Sequence, residues 1–248
     1  MLRFERKPFG IWNRNGDSEF FFVCDHAANF IPKSLSGLGL GKIQLASHIA
    51  YDIGALSLSK IMAKKLNAPL IWQNYSRLMI DSNRHLEHEK LIPEESDGVV
   101  VEGNDSIDEE IRNERIDLIF TPYHDKIAEL LNEREKQISR TIFVSVHSFT
   151  PLMKGFRRPW EIGVLSGNDK IFSKEVLKFL KTNEEYCIGD NEPYKVDSKD
   201  FTIPEHAIKR GLPYVLLEVR QDLISARKGR KFWAEIISLA LSKARESF

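Results

Sequence analysis

The sequence predicts an α/β fold: a mostly parallel, mixed sheet covered by helices on both faces, three layers in all. Three observations carry this expectation. Short, continuous runs of apolar, β-branched and aromatic residues recur along the 248-residue chain, as strands buried on both faces require. Helix-periodic segments alternate with them, the order that builds a sheet covered on both sides. No Pro/Gly/Ser-rich linker divides the chain, so a single domain over residues 1–248 is the simplest organisation.

The elements follow in order. Phe20 to Cys24 is the first apolar run. Ile43 to Leu66 has apolar residues at Leu45, Ile49, Ile53, Leu56, Ile61 and Leu66, a helical pattern. Pro69 to Trp72 is the second strand. Ile107 to Ile138 is rich in Glu, Lys and Arg; Pro122, which lacks an amide hydrogen, is expected to split it into two helices. Thr141 to Val146 and Ile162 to Leu165 are further strands, and Lys170 to Leu180 is a helix. Tyr214 to Val219 is the last strand, and Leu223 to Ala244 the last helix.

Composition removes several classes of function. Lys and Arg total 36 and so do Asp and Glu, which leaves no basic excess for a nucleic-acid polyanion. No apolar run approaches the roughly 20 residues of a membrane span. The opening MLRFERKPFG has no apolar secretory core, and two cysteines, Cys24 and Cys187, do not make a disulfide framework. A soluble cytoplasmic protein is expected.

The chemistry is concentrated at strand ends, where sites collect in open α/β sheets. EFFFVCDHAANFIP carries an apolar run into Asp25 and His26, and TIFVSVHSFTP carries another into His147. PYVLLEVRQD holds Glu218 near its end, with Arg220 two residues on, and SRLMIDSNR closes on Asp81, Asn83 and Arg84. Two imidazoles and an oxygen ligand can hold Zn²⁺ with a position left open. A carboxylate can move a proton from water to a leaving amine, and guanidinium groups grip carboxylates. Each residue also has a plainer reading: Glu218 could pair with Arg220, and Arg77 and Arg84 could be surface ion-pair residues. His48, His85, His88 and His124 read as solvated or capping residues. Cys24 could be a thiol nucleophile served by His26 or His147, although a cysteine inside an apolar strand is usually inert packing.

The pieces CDHAANFIP, HIAYDIGA, SRLMIDSNR, VHSFTP, IGVLSG, NEPY and HAIKRGLPYVLLEVRQD resemble, in order and spacing, the N-formylglutamate amidohydrolase family. The likeness runs from about residue 19 to residue 224 and is similar, more distantly, to zinc carboxypeptidases and aspartoacylase. It implies a phosphorylase/hydrolase-like fold and zinc-dependent cleavage of the N-acyl amide of a small amino acid, with N-formyl-L-glutamate the type substrate. It implies His26 and His147 as metal ligands and Glu218 as the proton-shuttling carboxylate. Asn83 and Arg84, with Arg77, are implied for the substrate carboxylate or carbonyl, and His206 for a second substrate contact. The third ligand departs from the pattern: Asn29 stands three residues after His26, where a glutamate is usual. Asp52 is the alternative, favoured because an anionic oxygen offsets the ion's charge better than an amide, and Asp25 is weaker. Asn29 at that position also leaves open a non-catalytic binding protein that keeps the pocket.

Overall fold

The computed structural model describes residues 5–167 and 171–248. One seven-stranded sheet runs through it. Its strands are β1 (Phe9–Trp12), β2 (Phe20–Cys24), β3 (Leu70–Gln73), β4 (Ile142–Phe149), β5 (Ile162–Leu165), β6 (Ile188–Asp190) and β7 (Tyr214–Arg220). They lie in the order β1-β3-β2-β4-β7-β5-β6. β3, β2, β4 and β7 are mutually parallel, β1 pairs antiparallel with β3, β5 antiparallel with β7, and β6 parallel with β5. The carboxyl ends of β2, β4 and β7, which adjoin one another, therefore share one edge. The expected three-layer, mostly parallel mixed sheet is the observed one.

The period of two along the strands sorts side chains between the two helical layers. Phe20, Phe22, Cys24, Val144, Val146 and Leu217 pack beneath α1 (Ala55–Lys65), α4 (Ile171–Leu180) and α6 (Arg227–Glu246). Phe21, Val23, Phe143, Tyr214 and Leu216 face α3 (Thr121–Glu135) and α5 (Thr202–His206). Both faces of β2 and β4 are buried throughout, which is why these strands read as unbroken apolar runs. A third apolar cluster, with Leu38, Ile49, Leu78, Met79 and Phe120, is built from the long segments flanking β3.

Three expected helices are interrupted. The 43–66 pattern forms a short turn, Lys42–Leu45, and then α1; between them the chain opens into a loop that carries Asp52. Gly54, at φ +84°, turns the chain into α1, and a Cβ there would lie 2.5 Å from the Ile224 carbonyl oxygen. In the 107–138 pattern, α2 (Glu109–Arg115) passes through a π-helical turn, Ile116–Phe120, into α3. The backbone stays helical throughout, and Pro122, which lacks an amide hydrogen, follows closely on this widened turn. The last pattern divides into Gln221–Ile224 and α6. Lys170 lies outside the described residues.

Candidate metal and active site

Strand register assembles the site. Val23 pairs with Ser145, so β2 ends while β4 continues, and His147 projects beside the turn that holds Asp25 and His26. On its other side His147 is the register partner of Glu218 on β7. Parity puts both on the sheet face that carries Phe143 and Leu216. Asp52 is tied to the same turn by its backbone, whose N–H donates to the His26 carbonyl at 2.8 Å.

The ligand atoms of His26, Asp52 and His147 all lie within 4.8 Å of one another, and all three residues are buried. Asp52 Oδ2 is 2.9 Å from His147 Nδ1 and 3.5 Å from His26 Nδ1, and it accepts the Ser148 N–H at 3.2 Å. His26 Nε2 is 2.7 Å from Asp81 Oδ1; Arg77 donates to Asp81 Oδ2 at 2.7 Å and approaches Asp52 Oδ1 at 3.6 Å. His147 Nε2 lies 3.1 Å from Ser145 Oγ and 3.4 Å from Asp25 Oδ2. Asp25 Oδ1 accepts the Tyr123 hydroxyl at 2.8 Å.

The electrostatics are those of a centre short of positive charge. Burial alone would raise Asp52, but the His26 and His147 rings hold it far below the usual carboxylate range. Asp81 is likewise held well down, against burial, by Arg77 and His26. Burial would lower His147, yet Asp25 and Asp52 draw a proton onto it and raise it well above an ordinary imidazole. His26 is raised too, against burial and Arg77, by Asp81 and Asp52. Glu218 is pushed up to about 7, first by burial, with Asp52 adding and His147, His26 and Arg77 opposing. Asp25, Asp52 and Asp81 thus surround two imidazoles with one guanidinium among them, a donor set that suits a divalent cation. Three buried polar atoms without hydrogen-bond partners point the same way: His26 Nδ1, Asp25 Oδ2 and Glu218 Oε2.

A cavity of about 580 Å³ opens over this cluster, lined among others by His26, Asp52, Arg77, Arg84, His147 and Glu218. Glu218 does not pair with Arg220, which turns instead to Asp222 at 2.9 Å and Glu161 at 3.8 Å. Asn83 and Arg84 reach the cavity, but both donate to Asp200 Oδ1, at 3.1 and 3.0 Å. Asn83 Oδ1 also accepts the N–H groups of Phe201 and Thr202.

Two expected residues stand elsewhere. Asn29 is exposed, donates to the Leu45 carbonyl at 2.7 Å and lines a separate cavity beside Phe30 and Pro32. The turn after His26 carries it away from the cluster, whereas Asp52 lies within it. His206 does not line the main cavity; it is buried under α3, with Nε2 3.0 Å from His124 Nδ1. His124 is therefore neither solvated nor capping: it is buried, and its Nε2 is 2.8 Å from the Ser82 carbonyl. Cys24 is fully buried, and burial pushes its thiol well up, which removes it as a nucleophile. Sequence reasoning missed Tyr123, Asp200 and the part played by Asp81. The last had a signal, an acid at the end of the segment that holds Arg77 and Arg84.

The fold and the cluster define an α/β protein with a carboxylate-rich two-histidine centre at the strand ends. Residues 18–225 match the family model described as N-formylglutamate amidohydrolase, and the chain belongs to that family. Among solved structures, it is similar to the gene product Atu2144 from Agrobacterium tumefaciens, at 32% identity and TM-score 0.95, over 98% of this chain and 96% of that one. It shares its fold with N-formylglutamate amidohydrolase from Ralstonia eutropha JMP134, at 16% identity and TM-score 0.72, over 97% and 98% of the two chains. No curated protein gives a significant match. No described helix is long and apolar enough to cross a membrane.

Proposed function

We propose that the chain is a metal-dependent amidohydrolase that cleaves the N-acyl amide, N-formyl first, of a small amino acid such as N-formyl-L-glutamate, in the cytoplasm. One observation carries the reading. Glu218 presents a buried carboxyl with an unpartnered oxygen to the cavity lined by His26, Asp52 and His147. His26, His147 and Asp52 would hold the ion, with zinc the expected metal for two imidazoles and a carboxylate. When bound, the ion would supply the charge that polarises an amide carbonyl and acidifies water.

The remaining work belongs to the protein. Glu218, whose carboxyl is buried against His147 and faces the cavity, takes a proton from the attacking water and returns it to the departing amine nitrogen. Arg84 and Asn83, with Arg77 nearby, grip the substrate carboxylate in place of Asp200. The alternative of a non-catalytic binding protein rests on Asn29 as a poor third ligand; the nearness of Asp52 to both histidines speaks for the enzyme reading.

The test is a hydrolysis screen of N-formyl, N-acetyl and N-carbamoyl amino acids by the zinc-supplemented protein. The expected result is release of free amino acid, fastest from an N-formyl substrate with a free α-carboxylate. Turnover of none of them by a zinc-loaded, folded preparation contradicts the reading.

A further inference from the structure

Each of the two histidine rings has a carboxylate behind its Nε2, Asp81 at 2.7 Å from His26 and Asp25 at 3.4 Å from His147. An ionised carboxylate only accepts hydrogen bonds, so the 2.7 Å contact between His26 Nε2 and Asp81 Oδ1 fixes a proton on Nε2. His26 Nδ1 then faces Asp52 Oδ2 as a buried atom with no hydrogen-bond partner. In His147, Nδ1 is hydrogen-bonded to Asp52 Oδ2 at 2.9 Å, the contact an ion at this site would replace, while Nε2 is hydrogen-bonded to Ser145 Oγ at 3.1 Å and lies 3.4 Å from Asp25 Oδ2, a buried oxygen with no hydrogen-bond partner of its own. Each rear carboxylate is itself anchored. Arg77 and the Asn83 N–H, at 2.7 and 2.9 Å, fix Asp81. The Tyr123 hydroxyl, reaching down from α3, fixes Asp25. The two supports come from different elements and meet the cluster from behind different rings.

We propose that Asp25 and Asp81 are the positioning carboxylates of the metal centre, each holding the Nε2 proton of one histidine so that both rings present Nδ1 to the ion. This rests on the metal-centre reading above. Neither residue is a ligand: each fixes the tautomer and tilt of the ring that is, and makes that ring a stronger donor. Tyr123 belongs to the same apparatus, one step further out. Asp25 at the position before His26 thereby acquires a use that its sequence neighbourhood does not reveal. It lies in line with His147 on the adjoining strand, rather than with the histidine next to it in the chain.

Zinc alone is the probe, in two measurements on the full chain. Long-range proton–nitrogen spectra of the zinc-loaded wild type should show, for His26 and His147, a protonated Nε2 and a metal-bound Nδ1. Ligation of either ring through Nε2 overturns the proposal, and this experiment needs no variant to fold. Chelator competition then compares wild type with Asp25→Asn, Asp81→Asn and Tyr123→Phe. The two carboxylate variants should bind zinc about 10 to 100-fold more weakly and Tyr123→Phe a few-fold more weakly, with circular dichroism confirming the fold. Folded variants that match wild-type affinity, with only the melting temperature lowered, make these residues structural and overturn the proposal. A wild type that binds no zinc at all is a different outcome: it removes the metal centre itself, and this proposal with it.

Discussion

Glu218 occupies a position where an ordinary ion pair would have been easy, with Arg220 two residues away. Residues two apart on a strand share a face, but Arg220 is the last residue of β7 and turns to Asp222 and Glu161, while Glu218 stays against His147. Its charge state is governed by burial. Replacing it by glutamine keeps the shape and removes the basic oxygen, so Glu218→Gln should retain zinc, lower kcat by about 10² to 10⁴-fold and leave KM within a few-fold. Steady-state kinetics and melting temperature on one preparation check this; normal turnover with lost stability would make Glu218 structural. The histidines and Glu218 were legible as single letters at the ends of apolar runs. Their supports were not, because Tyr123 lies 98 positions from Asp25, and His26 is 55 from Asp81. Periodicity reports the face a residue occupies, not its partner on another element.

At the scale of elements, the central strands were legible because both their faces are buried. The run Ile162 to Leu165 is the observed β5, and Phe20 to Cys24 the observed β2. The edge strand β1 was not, since its four residues, FGIW, are only half-buried and its apolar run is broken by Gly10. β6 was missed for its brevity, three residues including Gly189. The 43–66 helix was overextended because Ile49 keeps the helical spacing while packing into the third apolar cluster from a loop. β5 also shows how an element serves the site. Gly163 is the antiparallel partner of Glu218, and a Cβ there would lie 2.0 Å from the Glu192 carbonyl oxygen and 3.4 Å from Glu218 Cβ. Gly163→Ala must therefore move the turn after β6. It is expected to cost about 1–3 kcal/mol in denaturant unfolding, as overpacking does, and to lower activity in the folded fraction. Wild-type stability in that variant would refute the close approach.

For the whole molecule, the buried His124–His206 pair joins α3 to α5 and sets an acid limit on stability. Burial pushes His124 down to about 4 and, with His124 beside it, His206 down to about 3. Both are neutral when folded and titrate near 6.5 when unfolded. The unfolded chain thus takes up protons first: the contribution is complete above about pH 6.5 and is lost as pH falls toward the folded values. His26 and His147, raised in the metal-free protein, act in the opposite sense, so a comparison isolates the pair. His206→Gln keeps a donor for His124 Nδ1 and removes one titrating group. Between pH 7 and pH 4 wild type should lose more unfolding free energy than His206→Gln, and parallel losses would show that the pair is not buried neutral. The metal centre rests on the other two histidines, with Asp52 between them. Equilibrium zinc binding to the metal-stripped protein, comparing wild type, Asp52→Asn and Asn29→Ala, is its sharpest test. One tightly held ion is expected in wild type, the same in Asn29→Ala, and much weaker binding in Asp52→Asn. Equal retention by Asp52→Asn and wild type, or loss of the ion in Asn29→Ala alone, would contradict it.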